Sequence, residues 1–201
     1  KVWTKYKKFF LSEGFNVLSP SLRYHDRKDC PIELGNISLL DYLSDLESLI
    51  KHLDTPPIII GHSMGALLTL KLMEKDLGIM GICLTPAAPR GINAISPSVI
   101  RIFLKNLLVW KFWEKVHAPR FSSFYLGTLG QLSMTEAKEI FDEISAYESG
   151  RVGLELGFPI FDPRRASEIN EAKIKRPILV VGATKDRVTP IGIARKISKK
   201  L

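Results

Sequence analysis

The run Gly61-His62-Ser63-Met64-Gly65 is the stretch of this chain whose residue types and order suit chemistry. A serine hydroxyl is a weak nucleophile. An enzyme that uses one must expose its oxygen, give it a base and set backbone donors where negative charge will develop. A serine on a tight turn between a strand and a helix meets the first and third needs together. The residues two before, two after and three after it must then be small, and they are Gly61, Gly65 and Ala66. The N–H of Met64 falls at the start of the helix that follows, where it can donate to an oxyanion. Ser63 is the candidate nucleophile and Met64 the candidate oxyanion donor. The competing reading is a tight turn with an inert serine, because short glycine motifs recur in many loops.

Context favours the chemistry. The β-branched run Ile58-Ile59-Ile60 precedes the motif and reads as a strand covered on both faces, while residues 67–75 resume helical periodicity. The base on such a serine needs an orienting carboxylate, and in this architecture the order along the chain is serine, acid, histidine, with the acid after a later strand. Residues 178–186 supply an apolar strand followed by Asp186. The earlier opportunity, after Leu84, offers Thr85, Pro86 and Ala87 and no acid. Asp186 is the candidate acid, against a reading in which it only caps the turn beside Pro190.

The elements that must hold these residues are legible in the periodicity. Val2, Trp3, Tyr6, Phe9 and Phe10 recur at helical spacing up to Gly14, and the short apolar stretch 15–19 before Pro20 predicts a buried strand. Ser38 with Asp41 predicts a helix start, and the apolar face from Leu39 to Leu53 runs until Pro56 and Pro57 stop it. The helix after Ser63 ends near Gly78, and residues 79–84 predict another strand. This alternation argues for an α/β chain, a mostly parallel sheet with helices on both faces. From residue 86 to 175 it gives way to helical patterns, 99–113 and 133–147, the latter opened by the box Ser133-x-x-Glu136. Residues 1–85 and 176–201 therefore read as the core and 86–175 as a helical lid or cap insertion. There is no internal repeat and no low-complexity segment.

Residues 61–66, the stretch Ser21-Leu22-Arg23-Tyr24-His25-Asp26 and residues 182–190 together resemble the α/β-hydrolase superfamily over nearly the whole chain. The wording is most similar to its lid-bearing serine esterase, lysophospholipase and haloperoxidase-like branch, whose members commonly read Arg-Gly-His-Gly where this chain has Arg23-Tyr24-His25-Asp26. Dehalogenases and epoxide hydrolases of that fold carry Asp at the nucleophile position and dienelactone hydrolases carry Cys, so Ser63 argues against both. The resemblance implies a catalytic His one strand beyond the acid, yet residues 187–201 contain none. It also implies a strand and loop ahead of the first helix that donate a second oxyanion N–H. The expectation is a chain truncated at both ends, with its base beyond Leu201. Of the histidines present, His52 ends a helix where a cation suits the dipole, His62 is built into the motif and His117 lies in the insertion. His25 is the one in a loop that could face the site, as a substitute base.

The resemblance implies hydrolysis of a carboxylic ester with an apolar acyl chain through an acyl-enzyme on Ser63, and a small ester or lipid-like molecule as substrate. Thioester, peroxyacid or amide chemistry on the same triad is an alternative, as is a non-catalytic member that binds a ligand or partner. No cofactor or metal is implied. In the lid, Phe103, Leu107, Trp110, Trp113, Phe121, Phe124 and Tyr125 either line an acyl pocket or form the lid's own core.

The bulk composition adds bounds. The chain has 201 residues, 45% of them hydrophobic, enough for one sizeable core. Lys and Arg outnumber Asp and Glu by 29 to 21, for a net charge of +8. Many of the basic residues sit near the ends (Lys1, Lys5, Lys7, Lys8, Arg195, Lys196, Lys199 and Lys200) with no stacking aromatic array among them, which argues against nucleic acid. Contact with a membrane surface stays open, with Lys105 and Lys111 near headgroups. The two cysteines, Cys30 and Cys83, suggest neither a disulfide framework nor a zinc site. No apolar stretch reaches the roughly 18 residues of a membrane span. A cytoplasmic location is the expectation, although the text opens at Lys1 on helix-like sequence, where a leader peptide is not in view.

Overall fold

A computed structural model describes residues 2–26 and 29–201, so Lys1 of the N-terminal basic group lies outside the described residues. Helix α1 (Thr4–Ser12) falls on the predicted span and is closed by Gly14 at φ +85°, a conformation open to glycine. None of its residues is buried. Residues 15–19, expected to form a buried strand, instead form no regular element and pair with no strand among the described residues, and Phe15 and Leu18 are exposed. An apolar run becomes a strand through ladder bonds and a covered face, and this one has neither.

Helix α2 (Leu39–Lys51) opens with the expected capping box: Ser38 Oγ accepts from the Leu40 N–H at 3.1 Å, and the Ser38 N–H donates to Asp41 Oδ2 at 2.8 Å. Strand β1 (Ile58–His62), helix α3 (Met64–Glu74) and strand β2 (Met80–Leu84) follow. The inserted region holds α4 (Pro97–Leu107), β3 (Val116–His117), α5 (Phe121–Phe124), α6 (Met134–Ile144), β4 (Glu148–Ser149) and α7 (Gly150–Gly157). The core then resumes with β5 (Ile178–Val181) and α8 (Ile191–Ser198).

The main sheet is parallel, in the order β1-β2-β5, with Ile58 opposite Met80 and Gly81 opposite Ile178. Every residue of helix α3 from Ala66 to Met73 is buried, including Thr69, whose Oγ1 donates to the Gly65 carbonyl, and Lys71, whose Nζ donates to the Glu168 carbonyl. The helix lies against the sheet face that carries Gly61, Gly81 and Cys83, where an added Cβ on Gly61 would strike Thr69 and one on Gly81 would strike Ile178 and crowd Met73 and Thr69. Helix α8 packs on the same side, with Ala194 against Gly182. On the opposite face Leu179 and Val181 are exposed, as is Ile58 of β1. The fold is thus α/β, a parallel sheet with helices, interrupted by a largely helical insertion.

The insertion also contains a two-residue antiparallel ladder, Val116 with Ser149 and His117 with Glu148, too short to leave a periodic signal. Its C-terminal part joins the main core, since Val152, Ala166 and Ile169 cluster with Leu34, Leu39, Leu67 and Leu68. The fully buried Glu155 of α7 fixes that junction. Ser38 Oγ donates to its Oε1 at 2.7 Å and the Leu39 N–H to its Oε2 at 2.8 Å, so a carboxylate sits on the positive end of α2. Arg164 Nη2 at 2.7 Å and Arg151 Nε at 3.2 Å balance its charge. No helix among the described residues is long and apolar enough to cross a membrane.

Candidate active site

β1 delivers the chain to Ser63, which adopts φ +53° and ψ −117°. A non-glycine residue held there costs about 1–3 kcal/mol, so the surroundings must impose it. They do so through four hydrogen bonds. The Ser63 N–H donates to the Leu84 carbonyl at 3.0 Å, and the Ser63 carbonyl accepts from the N–H groups of Ala66, Leu67 and Ala87 at 3.0, 3.3 and 3.0 Å. The serine itself stays partly exposed.

The three small residues around it play different parts. A Cβ on Gly61 would strike the Gly65 carbonyl and come within 2.5 Å of Thr69 Oγ1, so strand and helix cross this closely only without a side chain at 61. A Cβ on Gly65 would meet nothing within 4 Å. The steric demand expected at both glycines therefore falls on Gly61, and Gly65 contributes the carbonyl that fills the space. Ala66 is fully buried, and its carbonyl accepts from Cys83 Sγ at 3.5 Å; burial pushes that thiol's pKa up to about 12, which leaves it inert. Met64 begins α3, and among the described residues its N–H meets no acceptor. That donor, at the positive end of a buried helix, is open to a developing oxyanion.

Asp186 lies in the loop after β5, half-buried. Its Oδ1 accepts from the Val188 and Thr189 N–H groups at 2.8 and 2.7 Å, and its Oδ2 lies 2.9 Å from Thr189 Oγ1. It caps its own turn and is held in one orientation by doing so. Thr189 Oγ1 is also 3.1 Å from the Thr85 carbonyl, and the Thr85 N–H donates to the Val181 carbonyl at 2.7 Å. A chain of hydrogen bonds thus runs from Ser63 through the end of β2 to the Asp186 loop. Nucleophile and acid candidates stand at the C-terminal ends of parallel strands with one strand between them, where open α/β sheets place their sites. Sequence alone gives neither Thr85 nor Thr189 a role, because a lone threonine carries no signal; Thr85, at φ +39°, is a second strained residue of this floor.

Three histidines are engaged elsewhere. His52 Nδ1 donates to the Ser48 carbonyl and His117 Nε2 lies 2.8 Å from the Phe112 carbonyl. His25, the loop residue expected to face the site, has Nδ1 at 3.0 Å from the Arg23 carbonyl and Nε2 at 3.4 Å from Glu148 Oε2. The loop 21–26 is further pinned to α2 by a bidentate contact of Arg23 with Asp45. His62 feels the Asp186 charge, which opposes the lowering of its pKa by burial, but makes no hydrogen bond to it among the described residues.

Partial burial opposes the charged form of His25, but the hydrogen bond and charge of Glu148 outweigh it and raise its pKa above 6.5. A raised folded-state value means that the pair's stabilisation is complete below the unfolded value and fades as pH rises through the folded one. In an NMR titration His25 is expected to lose its proton above pH 6.5, and Glu148→Gln to lower that midpoint. A midpoint indifferent to Glu148→Gln would refute the pairing.

The insertion touches the Asp186 loop directly. Ser98 Oγ donates to the Arg187 carbonyl at 3.0 Å, and Gly127, in a π turn (Tyr125–Leu129), lies so close that a Cβ there would fall 2.8 Å from Val188 Cγ2. Of the aromatic residues offered as pocket lining, Phe121 and Phe124 pack edge-on against Phe141 at 5.4 and 5.5 Å, and Phe121 also meets Tyr125. These half-buried rings pack on one another within the insertion. Phe103 and Trp110 are exposed.

Residues 2–200 match the alpha/beta hydrolase family. Among solved structures, the chain is similar to a monoacylglycerol lipase from Paleococcus ferrophilus, with 21% identity, a TM-score of 0.68, and coverage of 100% of this chain and 74% of that one. It is similar also to a hydrolase from Pseudomonas aeruginosa, at 18% identity and TM-score 0.67, over 99% of this chain and 72% of that one. Polyneuridine aldehyde esterase matches at 13% identity and TM-score 0.63, over 98% and 80%. No curated protein sequence matches.

Proposed function

This chain belongs to the alpha/beta hydrolase family, and we propose that within it the chain is a serine hydrolase that cleaves carboxylic esters through an acyl-enzyme on Ser63. The observation that carries the reading is the left-handed backbone of Ser63, partly exposed between β1 and α3 with the Met64 N–H beside it. Ser63 Oγ attacks the acyl carbon, and the carbonyl oxygen becomes an oxyanion that accepts from the Met64 N–H. The serine proton passes to a histidine oriented by Asp186 and then to the departing alcohol. Water enters along the same path in reverse, releases the acid and restores the serine. We assign that histidine to sequence following Leu201, in keeping with the order serine, acid, histidine. The apolar residues of region 86–175, which we take as the lid, together with the lipase and esterase among the similar structures, support an apolar acyl chain. Two free cysteines fit a reducing compartment, so the cytoplasm is part of the proposal.

In the full-length gene product a fluorophosphonate probe is expected to label Ser63, and Ser63→Ala to abolish the label. Asp186→Asn keeps acceptors for the turn while removing the charge, and is expected to slow labelling by about 10⁴ if the carboxylate orients the base. Labelling that survives Ser63→Ala would overturn the assignment; labelling indifferent to Asp186→Asn would leave that residue as a turn cap alone. The 201-residue chain by itself is expected to turn over esters hardly at all. A gene product that never labels would favour the ligand-binding reading.

A further inference from the structure

Helix α4 is built the wrong way round for a globular surface. Ile102 is its buried residue and packs on Gly127, while Ile100, Phe103, Leu104 and, just past the helix, Leu108 are exposed. At 100° per residue these four cover a stripe of about 140° of the helix circumference. The apolar surface continues through Val109 to Trp110, whose exposures with Leu108 reach 39%, 82% and 76%. Arg101 and Lys105 border the stripe, and neither joins an ion pair among the described residues. Lys111 follows, partnered by Glu114. Residues 86–113 contain no Asp or Glu.

An exposed apolar stripe edged by cations, free of anions and ending in tryptophan is complementary to an anionic bilayer surface. Acyl chains take the stripe, headgroups the cations, and the indole the boundary between them. A second copy of this chain fits it poorly, because a two-fold contact would bring Arg101 and Lys105 against their own equivalents. We propose that α4 and the following residues to Trp110 dock this protein on an anionic lipid surface. Ser98 at the start of the same helix holds the Asp186 loop, so the docking helix is also one that touches the candidate site. The binding itself does not depend on the hydrolase reading.

The test is co-sedimentation of the full-length gene product with vesicles of phosphatidylcholine containing phosphatidylglycerol, against vesicles of phosphatidylcholine alone. Binding is expected on the anionic vesicles and should weaken with added salt. Arg101→Gln with Lys105→Gln should cost about fivefold in affinity per charge on anionic vesicles. Leu108→Ser with Trp110→Ser should cost at least about tenfold. These positions are exposed, so circular dichroism should show the variants folded as the parent. Ser63→Ala should bind like the parent, which separates failure of docking from failure of the catalytic assignment. No binding to anionic vesicles, or binding that both double variants retain, would overturn the proposal. So would gel filtration showing a dimer that Trp110→Ser dissociates, which would assign the face to a second copy.

Discussion

Gly61→Ala is expected to destabilise the chain by about 3–4 kcal/mol, a large fraction of a domain's stability. The added methyl would strike the Gly65 carbonyl and crowd Thr69 Oγ1. Overpacked side chains usually escape by changing rotamer, but a backbone carbonyl in the first turn of α3 moves only if the helix moves. That helix is buried from Ala66 to Met73 and is tied to Ser63 through the N–H groups of Ala66 and Leu67. The control is Gly65→Ala. Its methyl would meet nothing within 4 Å and should gain helix propensity, leaving stability unchanged or raised by about 1 kcal/mol. Urea denaturation of the two variants beside the parent decides the matter, and equal losses at both glycines would show that the crossing is looser than described.

The second large effect is expected at Glu155, which is none of the candidate catalytic residues. Glu155→Ala should cost about 3–4 kcal/mol and lower the melting temperature by roughly 10 °C. It strips partners from Ser38 Oγ and the Leu39 N–H, both deep in the protein, and removes the anion between Arg151 and Arg164. The arginines are partly exposed and can rehydrate; the start of α2 cannot. Glu155→Gln keeps the volume and one acceptor and should cost less. A loss below about 1 kcal/mol for the alanine variant would mean that water replaces the carboxylate.

The contrast between these residues shows which features sequence alone can reveal. The turn at Ser63, the cap at Ser38 and Asp41 and the box at Ser133 and Glu136 are each written within a few neighbouring residues, and each forms as expected. The parallel strands at 58–62, 80–84 and 178–181 announce themselves as short apolar runs between turn residues. Glu155 meets the α2 cap from far along the chain, and Thr189 meets Thr85 across a comparable gap, so no local pattern records either contact. Residues 15–19 fail for the converse reason. Their composition is that of a strand, but pairing is a property of what lies alongside, and among the described residues nothing does. The same limit applies to α4: helical spacing identifies the apolar stripe, but not that the stripe faces outward.

The union of β2 with β5 has a consequence for how such a molecule diversifies. The two strands are parallel neighbours, so everything between them leaves after Leu84, beside Val181, and re-enters the sheet at Ile178, opposite Gly81. The entropy of closing a flexible excursion grows only with the logarithm of its length, about 0.6 kcal/mol per doubling. Much of that excursion, up to the ladder at Glu148, contributes little to the buried core, whereas Val152, Ala166 and Ile169 beyond it contribute directly. The segment between Ala94 and Tyr147 is therefore an exchangeable cassette. Duplication, shortening or replacement within it would alter what reaches the serine while the register of the strands beneath went unchanged. On the proposed assignment of Ser63 as nucleophile and 86–175 as lid, selectivity and reactivity are inherited on separate stretches of the gene.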